Sequence, residues 1–218
     1  MRVVVMGAGG RVGQALLARI NAADDLTLAG APGRALPADS LNGDVVIDFS
    51  SPPGTMALLD RLAGTELPVV VGTTGFDAAQ TQRLRDEGAH RPILVAANFT
   101  PGFAAFRSAL LGLAQALPRA GLTLSETYNA AKKLQPSGTT LGLQADIAAQ
   151  APERALDLDL RREGEVAGIT TLTLALDGAQ IALTLSVTSR DAYAAGALEA
   201  ARWLMGRAPG FYTVSDTL

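Results

Sequence analysis

The sequence predicts an α/β protein, with a Rossmann-type doubly wound parallel sheet followed by a second α+β region. Three observations point to it. Short apolar runs at residues 2–6, 44–49, 68–71 and 93–97 alternate with stretches of helical periodicity. These runs are unbroken, as strands covered on both faces require. After Asn98 the pattern turns to period two, and the runs 169–176 and 179–187 are joined by Asp177-Gly178, a dipeptide suited to a type I′ hairpin turn.

Taken in order, residues 2–6 form a strand that ends at Gly7-Ala8-Gly9-Gly10. Val12, Ala15, Leu16, Leu17 and Ile20 then recur at the helical period. A second strand over 26–31 is broken by Pro32-Gly33, and helices around 55–63 and 78–87 separate the next three strands. Beyond Asn98, an apolar helix over 103–117 closes at Pro118 and a strand covers 122–128. Pro136-Ser137-Gly138-Thr139 opens a helix that runs to about residue 150. The hairpin puts Leu172, Leu174 and Leu176 on one face and makes the second sheet antiparallel. An alanine-rich helix over 192–205 and Pro209-Gly210-Phe211-Tyr212 end the pattern.

Composition removes several function classes. The 218 residues contain no cysteine and one histidine, His90. Disulfide scaffolds, thiol nucleophiles, iron–sulfur clusters and His/Cys zinc sites are therefore excluded, and no metal is expected. A net charge of −3, from 18 Lys+Arg against 21 Asp+Glu, argues against general nucleic-acid binding. No run approaches the 18 apolar residues of a membrane span, so a soluble cytoplasmic protein is expected. His90 and Asp24-Asp25 fall in polar turns, and Trp203 reads as core.

Two constellations carry chemistry. In Gly7-Ala8-Gly9-Gly10-Arg11-Val12-Gly13 the strict G-x-G-x-x-G is lost at Val12, yet strand, glycines and helix come in order. That order suits a dinucleotide pyrophosphate at a helix N-terminus; the alternative is a plain connecting turn. After the second strand there is no carboxylate for the adenosine ribose. Arg34, beside Gly33, offers a fork of donors to a 2′-phosphate, which favours NADPH over NADH, unless it is a solvated turn residue. Gly72-Thr73-Thr74-Gly75 and Ala96-Ala97-Asn98-Phe99 follow later strands on the cofactor side; each alone could be a strand-ending turn, and the pair together favours a nicotinamide site. The second constellation is Lys132-Lys133 ahead of Ser137-Gly138-Thr139, a cationic approach to amides and a hydroxyl at a helix start. It reads as a carboxylate cradle or as an ordinary capped helix.

Together these pieces resemble the 4-hydroxy-tetrahydrodipicolinate (dihydrodipicolinate) reductase family. The series runs through Arg11, Asp48-Phe49-Ser50, Gly72-Thr73-Thr74-Gly75-Phe76, Asn98-Phe99-Thr100, Lys132 with Pro136-Ser137-Gly138-Thr139, Ser189-Arg190, Gly196-Ala197-Leu198 and Pro209-Gly210-Phe211-Tyr212. The resemblance implies an NAD(P)H-dependent reductase of a small cyclic dicarboxylate in diaminopimelate and lysine biosynthesis. It implies a dinucleotide-binding domain of residues 1–98 and 191–218, a substrate-binding and oligomerisation domain of residues 99–190, and a homotetramer. Lys132 matches the family lysine, Gly138 and Thr139 match residues that hold a substrate carboxylate, with Ser137 part of the same cradle, and Gly33 falls where some members carry an acidic ribose ligand.

The chain departs from the family at the proton donor. The family's His-His pair is here Tyr128-Asn129, Leu134 replaces an aspartate, and Thr170 stands for a further histidine. Tyr128 and Lys132 are the remaining candidates to share the proton role, with Asn129 at the substrate. Two alternatives stay open: a reductase of another cyclic imine or unsaturated carboxylate, and a non-catalytic nucleotide-binding homologue. The retained cradle speaks against the latter.

Overall fold

The computed structural model describes residues 1–33, 36–131 and 135–217. It divides into two units, Met1–Pro101 with Arg190–Leu218, and Gly102–Ser189. Strands and helices are numbered in chain order. The first unit holds β1 (Arg2–Met6), β2 (Thr27–Gly30), β3 (Val45–Asp48), β4 (Val69–Val71), β5 (Pro92–Val95) and β10 (Gly210–Tyr212). They form one parallel sheet in the order β10-β5-β4-β3-β1-β2.

The period-two geometry of a strand sends alternate residues of this sheet into two separate cores. Val3, Val5, Ile47, Val70 and Leu94 pack with Leu16 and Ile20 of α1 (Arg11–Ala22) and with Ala197, Ala201 and Leu204 of α6 (Asp191–Leu204). Val4, Met6, Val46, Val69 and Val71 pack with Leu58, Leu59 and Leu84 of α2 (Pro52–Arg61) and α3 (Ala78–Glu87). That is the doubly wound arrangement. Ser51 caps α2 ahead of Pro52 and Pro53, and Asp77 with Gln80 forms a capping box on α3. Arg91 is buried and donates to Glu87, to the Leu62 carbonyl and to the Thr65 hydroxyl, which ties the ends of α2 and α3 together.

Gly196 shows why α6 is rich in small residues. A Cβ built there would lie 1.6 Å from the Phe99 carbonyl oxygen, so only glycine admits this close approach. Trp203 packs partly buried against the same core, edge-on to Tyr212, while His90 is exposed.

The second unit holds α4 (Phe103–Ala116), β6 (Gly121–Tyr128), α5 (Gly138–Gln150), β7 (Asp157–Arg162), β8 (Gly168–Leu176) and β9 (Ala179–Val187). Its sheet runs β7-β6-β8-β9. The expected hairpin is present, with Gly178 in the left-handed region at φ +69°. The expectation of a wholly antiparallel sheet is corrected, because β7 pairs with β6 in parallel. The cause is the crossover: β6 is followed by α5, and a strand that returns after a helix joins its predecessor in parallel.

One face of this sheet is closed by Leu122, Leu124, Glu126 and Tyr128 of β6 and by Thr170, Leu172 and Leu174 of β8. The other, part-exposed face carries Thr123, Ser125, Thr127, Thr171, Thr173 and Thr184. Arg107 and Asp146 pair between α4 and α5. Arg154 donates to the carbonyls of Ala114, Leu117 and Ala120 and so caps the end of α4. Among the described residues no helix is long and apolar enough to cross a membrane.

Two glycines give a signed check on this packing. Gly196→Ala is expected to destabilise the protein by about 1–3 kcal/mol or to prevent folding. Gly112, within α4, leaves open space of at least 4 Å around an added Cβ. Gly112→Ala is therefore expected to stabilise by about 0.5–1 kcal/mol through helix propensity. Urea unfolding midpoints of the two variants decide both.

Candidate functional site

In the first unit, β1 delivers the chain into a turn that needs glycine at two places. Gly7 sits at φ +76°, and a Cβ on it would lie 2.3 Å from the Phe49 carbonyl oxygen. A Cβ on Gly13 would lie 2.2 Å from the Gly7 carbonyl oxygen and 2.7 Å from the Ala8 Cα. The first turn of α1 can therefore press directly against the loop before it. The Gly10 amide donates to the Gly7 carbonyl at 2.9 Å, and the Gln14 side-chain amide donates to the Ala8 carbonyl at 2.6 Å.

Gly10 caps α1 with no side-chain hydrogen bond, and no acidic residue lies in the first turn. The helix thus ends in amides that its own side chains do not cap, the arrangement that takes an anion. Beside it is a cavity of about 450 Å³, lined by Gly7 to Gly10, Ala31, Pro32, Gly33, Ser50 and Ser51 among others. Arg11 is exposed and Val12 half-buried against the core. These features fit a dinucleotide: the glycines make room, and the open helix end supplies donors. Arg34 lies outside the described residues.

The far wall of this cavity is held by Asp48, which was not among the expected site residues. Its fully buried carboxylate accepts the Ser50 amide at 2.9 Å and the Thr55 hydroxyl. Burial pushes its pKa above the ordinary aspartate value, against the opposing hydrogen bonds from Ser50, Thr55 and Thr73. Thr73 is buried, and its hydroxyl oxygen accepts the Ser50 amide at 2.9 Å, so this side chain braces the turn. Gly72 is needed because a Cβ would lie 2.2 Å from the Phe49 ring. Thr74 and Ala97 are exposed, whereas Ala96 is nearly buried. Asn98 is buried and accepts the Thr100 amide, and the Phe99 ring stacks edge-on against Phe49 at 5.7 Å.

In the second unit, another buried carboxylate organises the expected cradle. Ser137 caps α5, its hydroxyl accepting the Thr140 amide at 3.2 Å. Its own amide donates to Glu126 Oε2 at 3.0 Å, and the Thr140 hydroxyl donates to the same oxygen. Arg162 Nη2 donates to Glu126 Oε1 at 2.7 Å and to the Gln135 carbonyl at 2.7 Å. Ser137, Thr139 and Thr140 are buried, and Gly138 is half-buried. Burial opposes the charge on Glu126. Hydrogen bonds from Ser137 and Thr140 and the Arg162 guanidinium outweigh it and hold the carboxyl below the usual glutamate range.

Tyr128 lies on the covered face of β6 with its ring centroid 5.7 Å from the Arg162 guanidinium carbon. Asn129 accepts the Ala131 amide through its side chain, closing a short turn. Lys132, Lys133 and Leu134 lie outside the described residues. A carboxylate at an otherwise apolar strand position, as at 48 and 126, is the sequence signal that points to these two braces.

The comparisons with known proteins agree in one direction. The family model described as dihydrodipicolinate reductase, C-terminus, matches residues 102–218, and the N-terminus model matches residues 35–99. The chain belongs to the dihydrodipicolinate reductase family. Curated relatives span this chain in full. A 4-hydroxy-tetrahydrodipicolinate reductase of Stenotrophomonas maltophilia is 37% identical over 238 residues, covering 100% of this chain and 98% of its own. That of Natronomonas pharaonis is 32% identical over 247 residues and covers 100% of both. The family fold is also that of a dipicolinate-bound dihydrodipicolinate reductase from Paenisporosarcina sp. TG-14, with TM-score 0.78 at 18% identity over 100% and 99% of the two chains.

Two outcomes are expected from this geometry. Gly13→Ala abolishes measurable NADPH binding or the fold itself, while Gly9→Ala folds normally, since nothing lies within 4 Å of its added Cβ. Fluorescence titration with NADPH alongside circular dichroism separates the two effects. Because the Glu126 carboxyl is lowered on folding, its contribution is present above the unfolded value of about 4.3 and is lost as pH falls through the folded value. Glu126→Gln is expected to flatten the acid limb of stability below about pH 4.3 and to lower stability at neutral pH by about 3 kcal/mol. Denaturant melts across pH 3–7 measure both.

Proposed function

We propose that this protein reduces 4-hydroxy-tetrahydrodipicolinate to tetrahydrodipicolinate with NADPH or NADH, in diaminopimelate and lysine biosynthesis. The observation that carries this reading is family membership along the chain, together with relatives of that name at 32–37% identity over their whole length. Members of this family are NAD(P)H-dependent oxidoreductases. The change requires one hydride and one proton to enter and the 4-hydroxyl to leave as water.

A bound nicotinamide supplies the hydride, and everything else falls to the chain. Gly7, Ala8, Gly9 and Gly10, with Arg11 and Val12 opening α1, hold the pyrophosphate on main-chain amides. Gly33 and Arg34 flank the adenosine ribose, where Arg34 favours the 2′-phosphate of NADPH. Gly72, Thr73, Thr74 and the main chain of Ala96, Ala97, Asn98 and Phe99 border the nicotinamide end. Asn129, Lys132, Ser137, Gly138 and Thr139 receive the dicarboxylate, and Tyr128 shares the proton role with Lys132. The half-open threonine-rich face of the second sheet supports a homotetramer. A biosynthetic role in this pathway supports a cytoplasmic location.

A second reading, a reductase of another cyclic imine or unsaturated carboxylate, is favoured by Tyr128-Asn129 standing where the family has two histidines. One assay separates them. The purified protein is coupled to dihydrodipicolinate synthase and NADPH absorbance is followed. Oxidation that depends on the synthase product supports the first reading, and its absence overturns it.

Residue roles are tested by rate. Tyr128→Phe and Lys132→Ala are each expected to slow single-turnover hydride transfer by about 10²–10⁴-fold. Wild-type rates in both variants remove them from the proton role. Arg34→Ala is expected to lower the NADPH-over-NADH ratio of dissociation constants, and an unchanged ratio assigns the preference elsewhere.

A further inference from the structure

An internal carboxylate stands where a substrate carboxylate is to bind, and this creates an electrostatic problem that the fold has to solve. Glu126 Oε2 takes the Ser137 amide and the Thr140 hydroxyl at the N-terminus of α5. The proposed substrate carboxylate meets the same turn, at Gly138 and Thr139. Left uncompensated, the Glu126 charge would repel an anionic ligand arriving at that turn. Arg162 cancels it at 2.7 Å, with both side chains nearly inaccessible to water (8% and 0% exposed). The same guanidinium holds the Gln135 carbonyl two residues before Ser137 and lies over the Tyr128 ring.

We propose that Glu126 and Arg162 form a positioning pair that sets both the shape and the charge of the turn Ser137-Gly138-Thr139 for a substrate carboxylate. This rests on the function proposed above. Glu126 fixes the shape by anchoring the cap residue and Thr140. Arg162 keeps the turn electrically receptive and anchors the chain entering it. Neither touches the substrate.

The test uses charge sign, which a purely structural role does not follow. Arg162→Met leaves Glu126 as an unpaired anion beside the turn. KM for the dicarboxylate is expected to rise at least about tenfold, with a smaller change in kcat. Binding of dipicolinate to the NADPH-loaded protein, measured by calorimetry, should weaken in parallel. Removing the second charge should then help: Glu126→Gln/Arg162→Met is expected to bind dipicolinate more tightly than Arg162→Met alone, and Arg162→Lys to recover part of the loss. Hydrogen exchange of the 135–141 segment should quicken in Arg162→Met while β8 and β9 stay protected. The pair is refuted if the double variant binds no better than the single one, or if exchange over 135–141 is unchanged. An inactive wild type instead removes the proposed substrate, and the exchange arm still decides whether Arg162 anchors the turn.

Discussion

In both units a buried carboxylate near the end of a strand holds a serine amide and a threonine hydroxyl at the start of the next helix. Asp48 of β3 holds Ser50 and Thr55 at α2, and Glu126 of β6 holds Ser137 and Thr140 at α5. Main-chain donors at a helix start are costly to bury unless something accepts them. A carboxylate accepts several at once and fixes their direction. Asp48 thereby fixes Ser50 beside Ser51, two residues that line the cavity next to the glycine loop.

The two braces differ in charge balance. Glu126 has a guanidinium and stays below the ordinary carboxylate range. Asp48 is held by neutral donors, and burial raises it. A raised carboxyl contributes stability below its unfolded value and loses it as pH rises through the folded one. The first unit therefore loses this contribution as pH rises, with no cation on Asp48 among the described residues to offset the burial. The second unit offsets the burial of Glu126 with Arg162.

Much of this fold is legible in the residues. The run at 2–6 and the hairpin strand 179–187 are β1 and β9 as read, because unbroken apolar runs and strict alternation are local signals. β7 escapes because Asp157-Leu158-Asp159-Leu160-Arg161-Arg162 is an edge strand whose charges guard its rim, and its pairing is set by the α5 crossover. β10 is three residues beside Pro209, too short for any period to show. The glycine loop was legible because a positive φ and close approach demand glycine. Thr73, Asn98 and Ser137 read in the sequence as ligand contacts, and the structure adds a second task, because each side-chain oxygen accepts a neighbouring amide. Which partner a hydroxyl or carboxamide satisfies is a tertiary matter, and no spacing reveals it.

The same partner logic bears on the proton. The buried carboxyl on the same strand face as Tyr128 is Glu126, and it would be the obvious substitute acid for the missing histidines. Its hydrogen bonds forbid that role. Ser137, Thr140 and Arg162 all donate to it, so every contact favours the ionised form, and a group held below the usual glutamate range carries no proton to give at neutral pH. Asp48 is raised, but its two oxygens are occupied by Ser50 and Thr55 beneath the Phe49 turn. Cysteine is absent from the chain, and His90 lies in an exposed turn of the first unit. The proton role proposed for Tyr128 and Lys132 is therefore consistent with how Glu126 and Asp48 are engaged: both carboxylates serve the turns they hold.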